Sequence, residues 1–252
     1  NNTITENDVA SLLALGEASR ALLRNHADFF LVGGADSKIN PLSMVRHSLF
    51  LPLTQRNDAP EKASRPFDHD RDGIVLGEGA GVLAIEDWDL ARRRGARVYA
   101  EIAGFGSSFD RGRTGSGLAR AIRQALAEAG IGPEAIDHVN AQGFSSREAD
   151  VWEAHGIREV FGNCKRPVPV FAPKSYFGNL GAGSGTTELA ASLLALEHGV
   201  LPPTLNYEVP DPNCPISVSN QPGPLTQPHV LKIGFTEMGQ CAAVVLRKVS
   251  QW

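Results

Sequence analysis

The chain has 252 residues, 42% apolar and 21% charged, enough for one large domain or two small ones with a substantial core. A formal charge of −4 and a pI near 6.0 exclude nucleic acid as the main partner. No run reaches the roughly eighteen apolar residues of a membrane span and no secretory leader is visible, so a cytoplasmic protein without membrane contact is expected.

Residues 9–24 set Val9, Leu12, Leu13, Leu15, Leu22 and Leu23 among alanines, which predicts a helix with Asp8 at its N-cap or first turn. Residues 27–35 predict a short buried strand closing on Gly33 and Gly34. Residues 39–66, with Pro41, Pro52 and Pro60, read as loop. A strand at 82–86, a charged helix at 87–95, a strand at 98–105 and an amphipathic helix at 117–130 stopped by Gly130 come next. A strand at 136–140 leads into a loop holding Gln142. Then follow a helix at 148–160, a strand at 168–172 and a strong Ala/Leu helix at 185–198. Two strands, 230–234 and 241–247, flank a turn at 235–240. This alternation predicts a layered α/β fold.

The three cysteines, Cys164, Cys214 and Cys241, are widely spaced without a CxxC pair and read as reduced thiols. No HxxxH or HExxH pattern occurs, so neither metal nor cofactor is expected. The GEGAG run at 77–81 has no following GK[ST], which argues against a nucleotide loop. Arg92, Arg93 and Arg94 read as a solvated helix face.

Five segments, in this order, resemble the β-ketoacyl-acyl-carrier-protein synthases: RPFDHDRDGIVLGEGAG (65–81), VNAQGFSSREAD (139–150), PKSYFGNLGAGSGTTE (173–188), PPTLNYEVPDP (202–212) and GFTEMG (234–239). The resemblance implies a thiolase-like fold of two layered α/β halves. Residues 1–90 would be the end of the first half with connecting loops, and 91–252 the complete second half. If nothing precedes Asn1, much of the first sheet is absent and a partner must cover exposed apolar strand surface.

In the family, a nucleophilic cysteine and two histidines occupy the positions matched here by Asp8, Gln142 and Asn179. A helix N-terminus favours a thiolate and equally a carboxylate, but a carboxylate is a poor nucleophile toward thioesters. Read on its own, Asp8 is a helix-starting residue. Gln142 can donate a hydrogen bond but cannot shuttle a proton, and on its own reads as a loop glutamine bonded to backbone. Asn179 can donate to an oxyanion but cannot act as a base. No titratable pair is then left to divide acid and base roles.

Lys174, Glu188, Asp150 and Glu153 match a charged network behind the family's catalytic residues, and are expected to support the fold as mutually paired buried charges. Phe144 and Ser146 match two threonines that bond the phosphopantetheine arm; Ser146 can still donate, Phe144 cannot. Phe235 matches a gate residue or is an ordinary core aromatic. Thr236 and Glu237 replace glycines after it, which implies a stiffer, filled turn.

The resemblance implies a non-catalytic, chain-length-factor-like pseudoenzyme. It would pair with an active ketosynthase, as a heterodimer or heterotetramer, in polyketide, aryl-polyene or fatty-acid biosynthesis. The strand within 27–35 would lie at the interface, and acyl carrier protein would be met through the partner. Two alternatives stay open: acyl transfer or hydrolysis centred on Asp8, or a homodimeric acyl-binding module.

Overall fold

A computed structural model describes residues 1–249. A short turn at Asn7–Val9 leads into α1 (Ala10–Leu23), then β1 (Phe29–Ser37), α2 (Pro41–Phe50), β2 (Glu78–Glu86) and α3 (Trp88–Arg93). β3 (Glu101–Phe109), α4 (Ser116–Glu128), β4 (Ile136–Asn140), α5 (Ala149–Phe161), β5 (Val170–Phe171) and α6 (Lys174–Phe177) follow. The last elements are α7 (Ser184–His198), β6 (Val200–Leu201), β7 (Gly223–Pro224), β8 (His229–Phe235) and β9 (Gln240–Arg247).

β3-β9-β8-β4-β5 form one mixed sheet, antiparallel from β3 to β8 and parallel from β8 to β5. The β8 and β9 sequences are almost continuously apolar because helices cover both faces of the sheet. α4 lies on one face, with Leu118, Ala121, Ile122, Ala125 and Leu126 at helical spacing toward it. α1 and α7 lie on the other, where Leu12, Leu15 and Leu189 meet Val244 and Leu246 in a second core. Beyond them, β1 and β2 make a separate antiparallel pair.

Gly34 of β1 lets the turn at Gly181–Gly183 approach, since a Cβ there would collide with the Ala182 carbonyl. Gly34→Ala is therefore expected to cost about 1–3 kcal/mol as overpacking, read from denaturant unfolding.

The layered α/β expectation holds, with two local differences. The 39–66 stretch contains α2, started by Pro41 at its first position and by Asn40, whose side chain accepts from Ser43 N–H at 2.9 Å. β1 is not a buried strand: only Val32 is buried, and Leu31 is 71% exposed. No residue of α2 is buried, and its Leu42, Val45, Leu49 and Phe50 face solvent.

Candidate functional site

Asp8 sits in the turn that precedes α1, buried, with Oδ1 lacking any hydrogen-bond partner. It does not cap α1: the N-cap is Val9, and no side chain caps either the turn or the helix. Gln142 follows β4. Its N–H donates to Glu153 Oε1 at 2.6 Å, the Gly143 N–H donates to Oε2 at 2.8 Å, and Lys232 Nζ donates to the Ala141 carbonyl at 3.1 Å. The peptides around Gln142 are thus held from both sides. Its side chain, expected to bond backbone, does not: it is fully buried and neither amide atom has a partner. A methyl group on Gly234 would lie 3.3 Å from Gln142 Oε1 and 3.4 Å from Val9 Cγ1, so β8, the Gln142 loop and the start of α1 meet there.

Asn179 lies after α6 with its backbone bonded to Val75 and Gly77. Its Oδ1 accepts from Gly181 N–H at 3.2 Å and Ser184 Oγ at 3.1 Å, which starts α7. The Gly181–Gly183 turn in turn packs on the Asn7–Val9 turn. The fold therefore gathers the three sequence positions at one junction.

The four charged residues are not joined in one chain of ion pairs, although the Glu153 carboxyl feels the charges of both Asp150 and Lys232. Glu188 takes Lys174 on one oxygen and Lys232 on the other. Lys232 also donates to Asn140 Oδ1 at 3.1 Å, so its three N–H groups all have acceptors. Burial pulls the Lys232 amine down to about 8 against the opposing charge of Glu188. Asp150 belongs elsewhere, 3.5 Å from Arg71 Nε, and Arg71 reaches Asp211 at 2.6 Å. Burial raises the Asp150 carboxyl to about 6 against the pull of Arg71. Glu153 makes no ion pair among the described residues; it clamps backbone, and burial pushes it up to about 8.

A raised carboxyl value adds stability below its ordinary value that is lost as pH rises through the raised one. For Glu153 that window runs from 4.5 to about 8. The buried His138, whose value burial lowers from 6.5, acts oppositely by losing stability as pH falls below 6.5. Unfolding free energy is therefore expected to fall between pH 6.5 and 8, where Glu153 acts without His138. Glu153→Gln should flatten that segment; an unchanged slope would remove Glu153 as its source.

Phe144 and Phe235 meet edge to face with centroids 5.3 Å apart, and Lys174 Nζ stands 5.3 Å from the Phe144 centroid. Ser146 is buried, its Oγ accepting from Ala149 N–H at 3.4 Å at the start of α5, which leaves its hydroxyl hydrogen able to donate. The turn after Phe235 is closed by Thr236 N–H to Gln240 O at 2.9 Å and by a Thr236–Gln240 side-chain bond. Glu237, in that turn, has its carboxyl raised by burial and then by the nearby charge of Asp8. A second carboxyl therefore lies within electrostatic reach of Asp8, which the sequence reading left out. Beside Phe235 and Glu153 a small cleft carries Arg113, stacked 5.6 Å over the Trp152 ring.

Lys232, Arg71, Asp211, Asn140, His138 and Ser192 also escaped sequence reasoning. The one usable signal was Lys232, a lone charge in the apolar run VLKIGF.

Two layers of helix on a mixed sheet, with this junction at the C-terminal ends of β4 and β8, define a thiolase-like ketosynthase architecture, as comparison with solved structures bears out. The complex of a type II polyketide-synthase acyl-carrier protein with its ketosynthase superposes with TM-score 0.92 at 32% identity, over 98% of this chain and 62% of that one. The ishigamide ketosynthase/chain length factor gives 0.90 at 32%, over 99% and 61%. The family models "Beta-ketoacyl synthase, N-terminal domain" and "C-terminal domain" match residues 2–91 and 99–208. The chain belongs to the β-ketoacyl synthase family. A putative polyketide beta-ketoacyl synthase 1 of Streptomyces cyaneus is 39% identical over 97% of this chain. The 3-oxoacyl-[acyl-carrier-protein] synthase 2 of Coxiella burnetii is 36% identical over 93%. The chain spans 60% and 58% of those two relatives. Among the described residues no helix is long and apolar enough to cross a membrane.

Proposed function

We propose that the chain is a non-catalytic, chain-length-factor-like subunit that pairs with an active ketosynthase in polyketide, aryl-polyene or fatty-acid biosynthesis, stabilising it and shaping its acyl tunnel. What supports this reading is the sequence resemblance, which matches Asp8, Gln142 and Asn179 to the family's cysteine and two histidines, together with the chemistry that neither amide can carry a proton between reactants. The Phe144–Phe235 contact and the closed 235–240 turn further support a site without through-traffic. In this reading residues 1–90 belong to one thiolase-like half and those from 91 onward to the other. Lys174, Glu188, Asp150 and Glu153 support the fold, and acyl carrier protein docks through the partner.

The exposed apolar surfaces of β1 and α2 are where the partner would lie. Native purification with light scattering tests the pairing. A 1:1 or 2:2 assembly with a cysteine-bearing ketosynthase supports it, and a stable homodimer or monomer overturns it. Leu31→Asp and Leu49→Asp are expected to weaken assembly about 30-fold each, if central to the interface, while leaving the melting temperature of the isolated chain unchanged.

One observation favours a second reading. Asp8 keeps an unpartnered buried oxygen, and its charge reaches the Glu237 carboxyl, an arrangement that could serve altered acyl transfer or hydrolysis. Thioester turnover by the purified chain, lost in Asp8→Ala, would establish that chemistry.

A further inference from the structure

Phe144 stands between an open cleft and a buried charge. Its ring meets Phe235 edge to face, and Phe235 lines the small cleft beside Arg113 and Trp152. On its other side Lys174 Nζ lies 5.3 Å from the ring centroid. Inward from the cleft the order is therefore Phe235, Phe144, Lys174 and Glu188. Phe144 and Phe235 are 3% and 5% exposed, and Lys174 is 1% exposed.

The Lys174 ammonium is short of acceptors. An ammonium has three hydrogens to donate. Lys232 places all three, whereas among the described residues Lys174 has one acceptor, a carboxylate oxygen of Glu188. A charge in that state takes up water wherever water can reach it. The face of Phe144 covers the side toward the cleft and offers the weaker attraction of a ring for a cation. The ring is also held in place. Glu153 takes the N–H groups of Gln142 and Gly143, and Asp150 takes that of Ser146 at 3.3 Å. Gly143 has φ +52°, and a Cβ there would lie 2.7 Å from that of Ala172. The loop is therefore pinned on both sides of Phe144 and cannot swing the ring aside without breaking these bonds.

We propose that Phe144 is a fixed plug that closes the inner end of the cleft and keeps solvent and small molecules from the Lys174–Glu188 pair. The inference deepens the reading of a junction without through-traffic and rests on it for the meaning of the closure. Bulk at one position then shuts the site, in addition to the loss of titratable groups at 142 and 179. Restoring a titratable residue at either position would leave a site that small molecules still do not reach. The two readings fail separately, because the plug is read from chemical access and the pairing from the mass of the assembly.

Reductive methylation with formaldehyde and cyanoborohydride, mapped by peptide mass spectrometry, reads each lysine in the protein as purified, in its native assembly. Lys62 and Lys165 are exposed and set the reference rate. In the wild type Lys174 should label far more slowly than either. Phe144→Ala should speed Lys174 labelling about tenfold or more against that reference, because access no longer waits for an opening of the fold. Phe144→Leu, which keeps most of the bulk, should stay near wild type. Lys232 lies beyond Glu188, makes no contact with the ring, and should remain protected in every variant. The proposal is overturned if Lys174 labels freely in the wild type, if Phe144→Ala leaves its rate unchanged, or if Phe144→Leu matches Phe144→Ala. It is equally overturned if Lys232 speeds up in step with Lys174, since the fold would then have loosened as a whole. Should Phe144→Ala fail to fold, Phe144→Val against Phe144→Leu decides, with the smaller side chain expected to label faster.

Discussion

Glu188→Gln is expected to lower the stability of the chain by about 3–5 kcal/mol. Glu188 holds two buried ammonium groups, one on each carboxylate oxygen, and none of the three residues is more than 1% exposed. A glutamine offers one neutral acceptor and turns two donors toward a lysine. Lys174 is affected most, since its other close neighbour is the face of Phe144, which attracts a cation only weakly by comparison. For a domain of this size each kcal/mol moves the melting temperature by about 2–4 °C, so a fall of about 10 °C is expected. Guanidinium midpoints should drop with unchanged slope. The double variant Glu188→Leu/Lys174→Met should recover part of the loss, because replacing both partners leaves one fewer charge unpaired. A single variant that unfolds like wild type would mean the pair is solvated in solution.

Gln142→Met should do the opposite and stabilise the chain by about 2 kcal/mol. The amide is fully buried with neither oxygen nor nitrogen bonded to a protein group, and each such orphan costs about 1–3 kcal/mol. Methionine has nearly the same length, makes no demand for hydrogen bonds, and adapts its rotamers to the space beside Gly234 and Leu12. A residue whose removal raises stability is held in place for another reason, as sites set aside for function commonly are. Unchanged or lower stability would show that the amide finds partners in solution.

The long elements were legible because their pattern is physical. Leu118, Ala121, Ile122 and Ala125 repeat at the helical period, and β8 and β9 are apolar throughout because two helical layers bury them. α2 was hidden by its proline, which breaks a helix interior but is well suited to the first position, where its missing N–H has no partner anyway. β1 read as buried because an apolar run does not say whether its neighbours are present. At the junction, motif spacing located Asp8, Gln142 and Asn179, but not what their side chains touch. Glu237 escaped because its proximity to Asp8 depends on how a turn 229 residues away is folded back. The buried hydrogen bonds that join His138 and Asn140 to Ser192 escaped for a related reason: these residues alternate with apolar ones along β4 and α7, and only packing reveals that they meet.

The sheet order has a bearing on how this chain is made. β3 bonds on its ladder side to β9 alone, with Glu101 opposite Arg247. At ordinary rates of translation, β3 leaves the ribosome on the order of ten seconds before the strand that completes its ladder. β4 likewise waits for β8, the neighbour on its other side from β5. During that interval two bare strand edges and the apolar face of α4 lie open to any nascent chain nearby. Yield in a host should therefore depend on holding chaperones and on slowed initiation more than on the final stability of the fold.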